Sequence, residues 1–295
     1  MTSYTYAVGG FLNVESDVEV FLFDTSPGVS VPEPDILLRE TDTEGDTVEW
    51  TGDGVRIALS PSLAVEKTSS AEPARFTKLL LSALQGMLLR QGATLAFGSA
   101  LQTPDGGGVG LFGPSNCGKS TASFRLARQR RYRLLSDDLL ICYEGRVYPF
   151  PRYVNLPRDV AVVERWLRSD AVSGERVRSW ADEVDVPRAV VSERVSGGLE
   201  LDDVVLVGPS GSAVERAGTP ATRAVSTERA GARLAALHRS ALGGWTSLPA
   251  VRDAVVDGET DRRAVVREVV AGATCRRLDA SGGTLAQSVA SLLER

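Results

Sequence analysis

The residues best equipped for chemistry lie together near the middle of the chain. Gly113-Pro114-Ser115-Asn116-Cys117-Gly118-Lys119-Ser120-Thr121 satisfies the spacing G-x-x-x-x-G-K-[ST]. Two glycines let successive backbone N–H groups curl around an anion, and a helix opening at Lys119 would add the partial positive charge of its N-terminus. The ammonium of Lys119 then falls between the β- and γ-phosphates of a nucleotide, Ser120 offers an oxygen to Mg²⁺, and Thr121 reaches the α-phosphate. Chance produces the bare pattern in about one chain of this length per hundred. The strand-like run Val109-Gly110-Leu111-Phe112 ahead of it supplies the context that the motif requires. Cys117 occupies one of the four variable positions, where a small side chain suffices.

A second constellation, Ser136-Asp137-Asp138, places its two carboxylates 18 and 19 residues beyond Lys119. In a phosphate-loop fold the strand after the first helix is expected beside the loop strand, so that its C-terminal end faces the phosphates. Two adjacent carboxylates there can divide the work. One holds the metal or its water, and the other accepts the proton of an attacking hydroxyl.

The elements that must position these groups read as follows. Residues 4–70 carry short β-rich runs: Thr5–Leu12, Val18–Phe23, Asp35–Leu38, Val48–Trp50 and Val55–Leu59. The segment Thr41–Thr47 has an incomplete calcium-loop pattern and reads as a solvated hairpin turn. Helical spacing marks about 71–90, through Phe76, Leu80, Leu84 and Leu88, with Gly92 as its stop. Thr94–Leu101 and Val109–Phe112 are strands around a hairpin-like loop, followed by a helix over 119–130 and strands over 133–135 and 139–143. Further on, 158–167 reads as helix, 204–207 as strand, and 229–242 and 284–293 as helices, with 170–200 ambiguous. The expected organisation is a β-rich region over 1–70, an α/β phosphate-loop kinase core over 71–250, and a C-terminal segment over 251–295 packing on that core.

Composition narrows the function classes. Thirty-three basic against 38 acidic side chains leave a formal charge of −5, which argues against generic nucleic-acid binding. No window approaches the roughly 20 apolar residues of a membrane span. The N-terminus carries Glu15, Asp17 and Glu19 rather than a basic start and an apolar run, so a cytoplasmic chain is expected. Three widely spaced cysteines, Cys117, Cys142 and Cys275, suggest neither a disulfide framework nor a zinc site. Only three lysines occur, Lys67, Lys78 and Lys119, so the one inside the glycine motif is informative.

Other candidates weigh less. His238, the only histidine, reads as a solvent-facing or dipole-stabilised residue near a helix end. Arg125, Arg128, Arg130, Arg131 and Arg133 read as local helix-end cations rather than a phosphate lid. Arg152, held between Pro151 and Tyr153 in the rigid run Tyr148–Arg152, is the better substrate-side cation. Val195–Leu199 has the flavour of a transport-ATPase signature but fails on order, because Asp202-Asp203 precede the apolar run Val204–Val207 instead of following one.

Taken together, residues 113–121, the strand end Leu134–Asp138, the lead-in Leu88–Gly92 with Gly98–Leu101, and Tyr148–Arg152 resemble the HPr kinase/phosphorylase-like kinases, whose core is similar to ATP-dependent phosphoenolpyruvate carboxykinase. The resemblance covers about residues 76–157. It implies that Lys119 contacts the phosphates, Ser120 binds magnesium, Asp138 is the catalytic base, and Asp137 supports the metal or the nucleophile. Two departures set the chain apart: Phe97 stands where the family carries His, and the downstream acidic signature of true HPr kinases has no counterpart. The expected activity is therefore Mg²⁺-ATP-dependent phosphorylation of a hydroxyl on a peptide, protein or small molecule other than HPr. The rival reading is a nucleotide-binding regulator or scaffold without phosphotransfer. The purine preference and homo-oligomer formation stay open.

Overall fold

The computed structural model describes residues 4–17, 20, 23, 34–40, 47–50, 54–59, 74–168, 177–179, 182–193, 195, 197–208, 221–242, 259–279 and 282–293. Its strands, in chain order, are β1 (Tyr4–Val8), β2 (Leu12–Ser16), β3 (Ile36–Glu40), β4 (Thr47–Trp50), β5 (Val55–Leu59), β6 (Thr94–Phe97), β7 (Ser99–Gln102), β8 (Gly108–Phe112) and β9 (Arg133–Ser136). They continue as β10 (Leu139–Tyr143), β11 (Arg146–Pro149), β12 (Val154–Pro157), β13 (Arg178–Ser179), β14 (Glu183–Val186), β15 (Leu199–Glu200), β16 (Asp203–Val207), β17 (Ala221–Ala224) and β18 (Thr274–Asp279). The helices are α1 (Ala74–Arg90), α2 (Lys119–Arg130), α3 (Ala161–Leu167), α4 (Arg188–Val191), α5 (Thr227–Leu242), α6 (Glu259–Ala271) and α7 (Gly282–Leu293). The chain is thus mixed α/β.

Its centre is a six-stranded sheet in the order β17-β18-β16-β8-β7-β9. Strands β8, β16 and β18 run parallel, whereas β7 pairs antiparallel with both β8 and β9. The two-residue period of these strands sends neighbouring side chains to opposite faces. Val109, Leu111, Val205 and Val207 meet Phe124 and Leu126 of α2 and Leu285 and Val289 of α7 on one face. Phe112, Val204 and Leu206 meet Leu234 and Leu237 of α5 and Val266 and Val270 of α6 on the other. Burying each such large apolar side chain contributes about 1.5–3 kcal/mol, so covering both faces is what commits the parallel strands to the interior.

A four-stranded antiparallel sheet, β15-β11-β10-β6, shares the α5/α6 layer through Leu140, Cys142 and Val147. Its Leu95, Leu139 and Ile141 join a third cluster with α1 and the N-terminal sheet β1-β2-β3-β5-β4. That cluster also contains Phe23, whose backbone bridges Arg152. A small β12-β14-β13 sheet and α3 flank α2, where the Trp166 and Phe124 rings meet edge-on at 5.0 Å.

Several expectations need correction. The single strand expected over 94–101 is broken at Gly98, and its halves enter different sheets. A Cβ at Gly98 would sit 2.4 Å from the Phe112 ring and 2.9 Å from the Leu111 carbonyl, so only glycine lets β7 turn across β8 there. The strand after α2 does not lie beside the loop strand: β7, drawn from before the loop, fills the place between β8 and β9. Strands β17 and β18 are additional to the sequence reading. Thr274–Asp279 was obscured by its consecutive arginines, of which Arg276 is ion-paired to Asp203 while Cys275 and Leu278 face inward.

The expected strand Val18–Phe23 lies outside the described residues save Val20 and Phe23, as does the 41–47 turn up to residue 46. Among the described residues no helix is long and apolar enough to cross a membrane.

Candidate functional site

Loop 113–118 joins the end of β8 to α2, as its sequence context predicts. Gly113 is buried, and a Cβ on it would come within 2.7 Å of the Val207 carbonyl and 2.9 Å of Cys117 Sγ. Gly118 has φ 91°, the left-handed region that favours glycine, and forms the N-cap of α2. Pro114 is half-buried, Ser115 and Asn116 are exposed, and Cys117 is buried with its thiol 3.7 Å from Lys119 Nζ. Lys119 itself is 8 % exposed and donates to the Pro114 carbonyl at 2.8 Å. The ammonium therefore lies back along the loop. Ser120 is half-buried and Thr121 buried on the first turn of α2.

Strand β9 reaches the same edge as the loop because two successive antiparallel pairings make it parallel to β8. At its end the backbone turns sharply: Asp138 has φ 65°, and Leu139 N–H donates to the Asp137 carbonyl at 2.8 Å. Asp tolerates this left-handed conformation better than most residues, though at a cost. The turn gives the adjacent acids different environments. Asp137 is 1 % exposed and accepts a hydrogen bond from Ser99 Oγ at Oδ1, while its Oδ2 is buried without a hydrogen-bond partner. Asp138 is 38 % exposed at its side chain and pairs with Arg152 Nη1 at 2.9 Å.

Ser136 ties the acid turn to the run that carries Arg152. Its hydroxyl donates to the Leu139 carbonyl at 2.7 Å and accepts from Phe150 N–H at 3.2 Å. The outer edge of β9 is covered by side chains: Ser192 Oγ accepts from Leu134 N–H at 2.8 Å, and Arg188 Nη1 donates to the Leu135 carbonyl. Without such partners that edge would present unpaired backbone groups. Arg188 and Ser192 escaped the sequence reading because they lie more than fifty residues downstream, in the stretch that had no clear period.

Burial drives the pKa of Asp137 above its ordinary value; the Ser99 hydrogen bond lowers it, the Asp138 charge raises it further, and the Ser120 hydroxyl and Lys119 charge act against the rise. A raised folded-state pKa means that the native state holds the proton more tightly than the unfolded chain. The associated stability is complete below the unfolded value near 3.8 and is lost as pH rises through the folded value. Thermal melts of metal-free protein taken upward from about pH 4 are expected to show this decline, and Asp137→Asn is expected to flatten it. An identical pH profile in that variant would contradict the assignment.

These residues fit a magnesium ion by their own chemistry. A buried carboxylate oxygen without a partner, next to a hydroxyl, is a hard oxygen donor set, and Mg²⁺ is commonly held by one or two carboxylates together with substrate phosphates. Among the described residues no three His, Cys, Asp or Glu side chains converge as a self-sufficient metal cage.

The structure brings Lys119, Ser120 and Asp137 together, and Asp138 with Arg152, across the same sheet edge. Phe97 ends β6, pairs in register with Leu139 and packs against the N-terminal cluster. The arginines at the far end of α2 do not join this edge: 12 residues make a helix of about 18 Å. Arg128 instead stacks over Trp166 at 5.8 Å, and Arg130 and Arg131 are exposed. Asp202 and Asp203 lie at the opposite edge, where Asp202 accepts from Gly108 N–H at 2.8 Å and Asp203 pairs with Arg276. His238 lies on α5, but its side chain is outside the described residues. No protein-family model matches the chain, and no curated protein matches it.

Proposed function

We propose that the chain is a phosphate-loop kinase, related in design to the HPr kinase/phosphorylase-like enzymes, that transfers the γ-phosphoryl group of ATP to a hydroxyl of a peptide, protein or small molecule. The observation that carries this reading is the division of the acid pair: Asp137 is buried under the influence of Ser120 and Lys119, while Asp138 is half-exposed and held by Arg152. A nucleotide-binding scaffold has no use for a second, accessible carboxylate beside the first.

In this mechanism the N–H groups of loop 113–118 and the N-terminus of α2 hold the phosphates of ATP. Lys119 exchanges the Pro114 carbonyl for phosphate oxygens. Asp137 and Ser120 would hold Mg²⁺, which when bound neutralises charge on the β- and γ-phosphates. Asp138 accepts the proton of the acceptor hydroxyl as that oxygen bonds to the γ-phosphorus and the bond to the β-phosphate oxygen breaks, leaving ADP. Arg152 keeps the Asp138 carboxylate oriented during this step and flanks the acceptor. Incubation with γ-labelled ATP and cell extract separated into peptide and small-molecule fractions is expected to label material in one fraction. Nucleotide binding with no label in either would favour the scaffold instead.

Phe97 makes a further expectation. A phenyl ring neither takes nor gives a proton, so the pH dependence of transfer should lack a histidine-like step, and reversal by inorganic phosphate should be absent or very slow. Phe97→His is expected to introduce a step at about pH 6.5 and to raise the reverse rate. Unchanged pH profiles and reverse rates would reduce Phe97 to packing.

A further inference from the structure

The acid that would hold the metal is itself held by a residue to which neither the glycine motif nor the acid pair points. Ser99 opens β7 and is fully buried, with Ala100 and Leu101 beside it equally closed to solvent. A hydroxyl in such a place is costly unless it is hydrogen-bonded. Its partner is not backbone but the Oδ1 atom of Asp137.

The ladder explains the meeting. Ala100 pairs antiparallel with Ser136, so continuing the register by one residue sets Ser99 opposite Asp137. Between Ala100 and Leu101 the register shifts, because Leu101 pairs with Leu134 and Leu135 becomes the extra residue of a bulge. One added residue reverses which face the following side chains occupy, a common way for a strand to re-aim a group beside a site. Bulge and hydroxyl together leave the carboxylate with Oδ1 engaged and Oδ2 buried and bare.

We infer that Ser99 is the positioning residue of the cation site: its hydrogen bond to Asp137 Oδ1 turns the partnerless Oδ2 into the ligand that would meet Mg²⁺ alongside Ser120. The inference rests on the kinase reading of this site and adds to it the group that orients the metal-binding acid. Ser99 touches neither phosphate nor acceptor. Its effect must therefore appear in how much Mg²⁺ is needed rather than in the rate once Mg²⁺ is saturating.

The test uses the full chain with Ser99→Ala and Ser99→Thr, read by the thermal shift that ADP and Mg²⁺ produce and by transfer rate, each as a function of Mg²⁺ concentration. Ser99→Ala is expected to raise the half-saturating Mg²⁺ concentration by about tenfold or more in both readouts, as removal of such supporting partners does elsewhere. The saturated rate should stay within about threefold of the wild type. Ser99→Thr, which restores the hydroxyl, should recover the wild-type titration. In an Asp137→Asn background Ser99→Ala should add nothing to the loss of Mg²⁺-dependent stabilisation, because its action runs through that carboxylate.

A Ser99→Ala protein with a wild-type Mg²⁺ titration overturns the inference, as does an undiminished Ser99 effect on top of Asp137→Asn. If the extra methyl of Ser99→Thr prevents folding, the alanine titration and the double variant decide alone. Wild-type protein that gains no stability from Mg²⁺ and ADP would overturn the kinase reading and this inference together. A wild-type shift reproduced unchanged in Ser99→Ala overturns only the role of Ser99.

Discussion

Lys119→Ala is expected to slow phosphoryl transfer by about 10³-fold or more while leaving the fold intact. Loss of one cation aimed at charge that develops in the transition state removes several kcal/mol of stabilisation, and about 4 kcal/mol corresponds to that factor. The side chain is buried against the loop and donates to the Pro114 carbonyl, but it is not part of an apolar cluster. Its removal therefore frees a carbonyl beside solvent rather than opening a cavity in the core. Steady-state transfer assays together with a thermal melt check both halves of the expectation. A folded variant with unchanged turnover would remove the basis for a catalytic lysine in this loop.

The acid pair should separate binding from transfer. Asp138→Asn is expected to lower transfer by about 10²- to 10⁴-fold, the range for loss of a general base, with Mg²⁺-ATP affinity little changed. Asp137→Asn is expected to weaken both. The structure supplies the reason: the Asp138 carboxylate engages Arg152, whereas Asp137 interacts with Ser99, Ser120 and Lys119. Asparagine at 138 keeps the shape of the side chain but can neither accept the proton as a carboxylate does nor form the ion pair. Calorimetric titration with Mg²⁺-ATP and single-turnover transfer, run on both variants, give the comparison. Equal affinity and equal turnover in the two would show that the roles are not divided in this way.

Much of the local structure was legible before the tertiary arrangement. The helix over Lys119–Arg130 and the strand over Leu139–Tyr143 fall where they were expected, because each has a strong boundary signal: Gly118 before the helix, and Glu144-Gly145 after the strand, all with positive φ. The break at Gly98 was hidden, since Thr94–Leu101 reads as one strand of mostly apolar residues and the obstacle is a phenyl ring from Phe112 on another strand. β18 was hidden for another reason: Arg276 and Arg277 interrupt its apolar pattern, and the Asp203 partner of Arg276 lies across the sheet, more than seventy residues away in the chain.

Sequence alone determined the chemistry on offer at residues 113–121 and 136–138, because glycine freedom, one of only three lysines in the chain and adjacent carboxylates are properties of residue type and spacing. It also settled that the loop would run from a strand into a helix. Only the tertiary structure decided how those groups are shared out. The pairing of β7 with β9, the bulge at Leu135, the Ser99 hydroxyl on Asp137 and the Arg152 guanidinium on Asp138 all depend on pairings between residues 14 to 38 positions apart. Such contacts leave no local period in the chain, since their energy is realised only when the sheet closes and water is excluded from the carboxylate that the sheet buries.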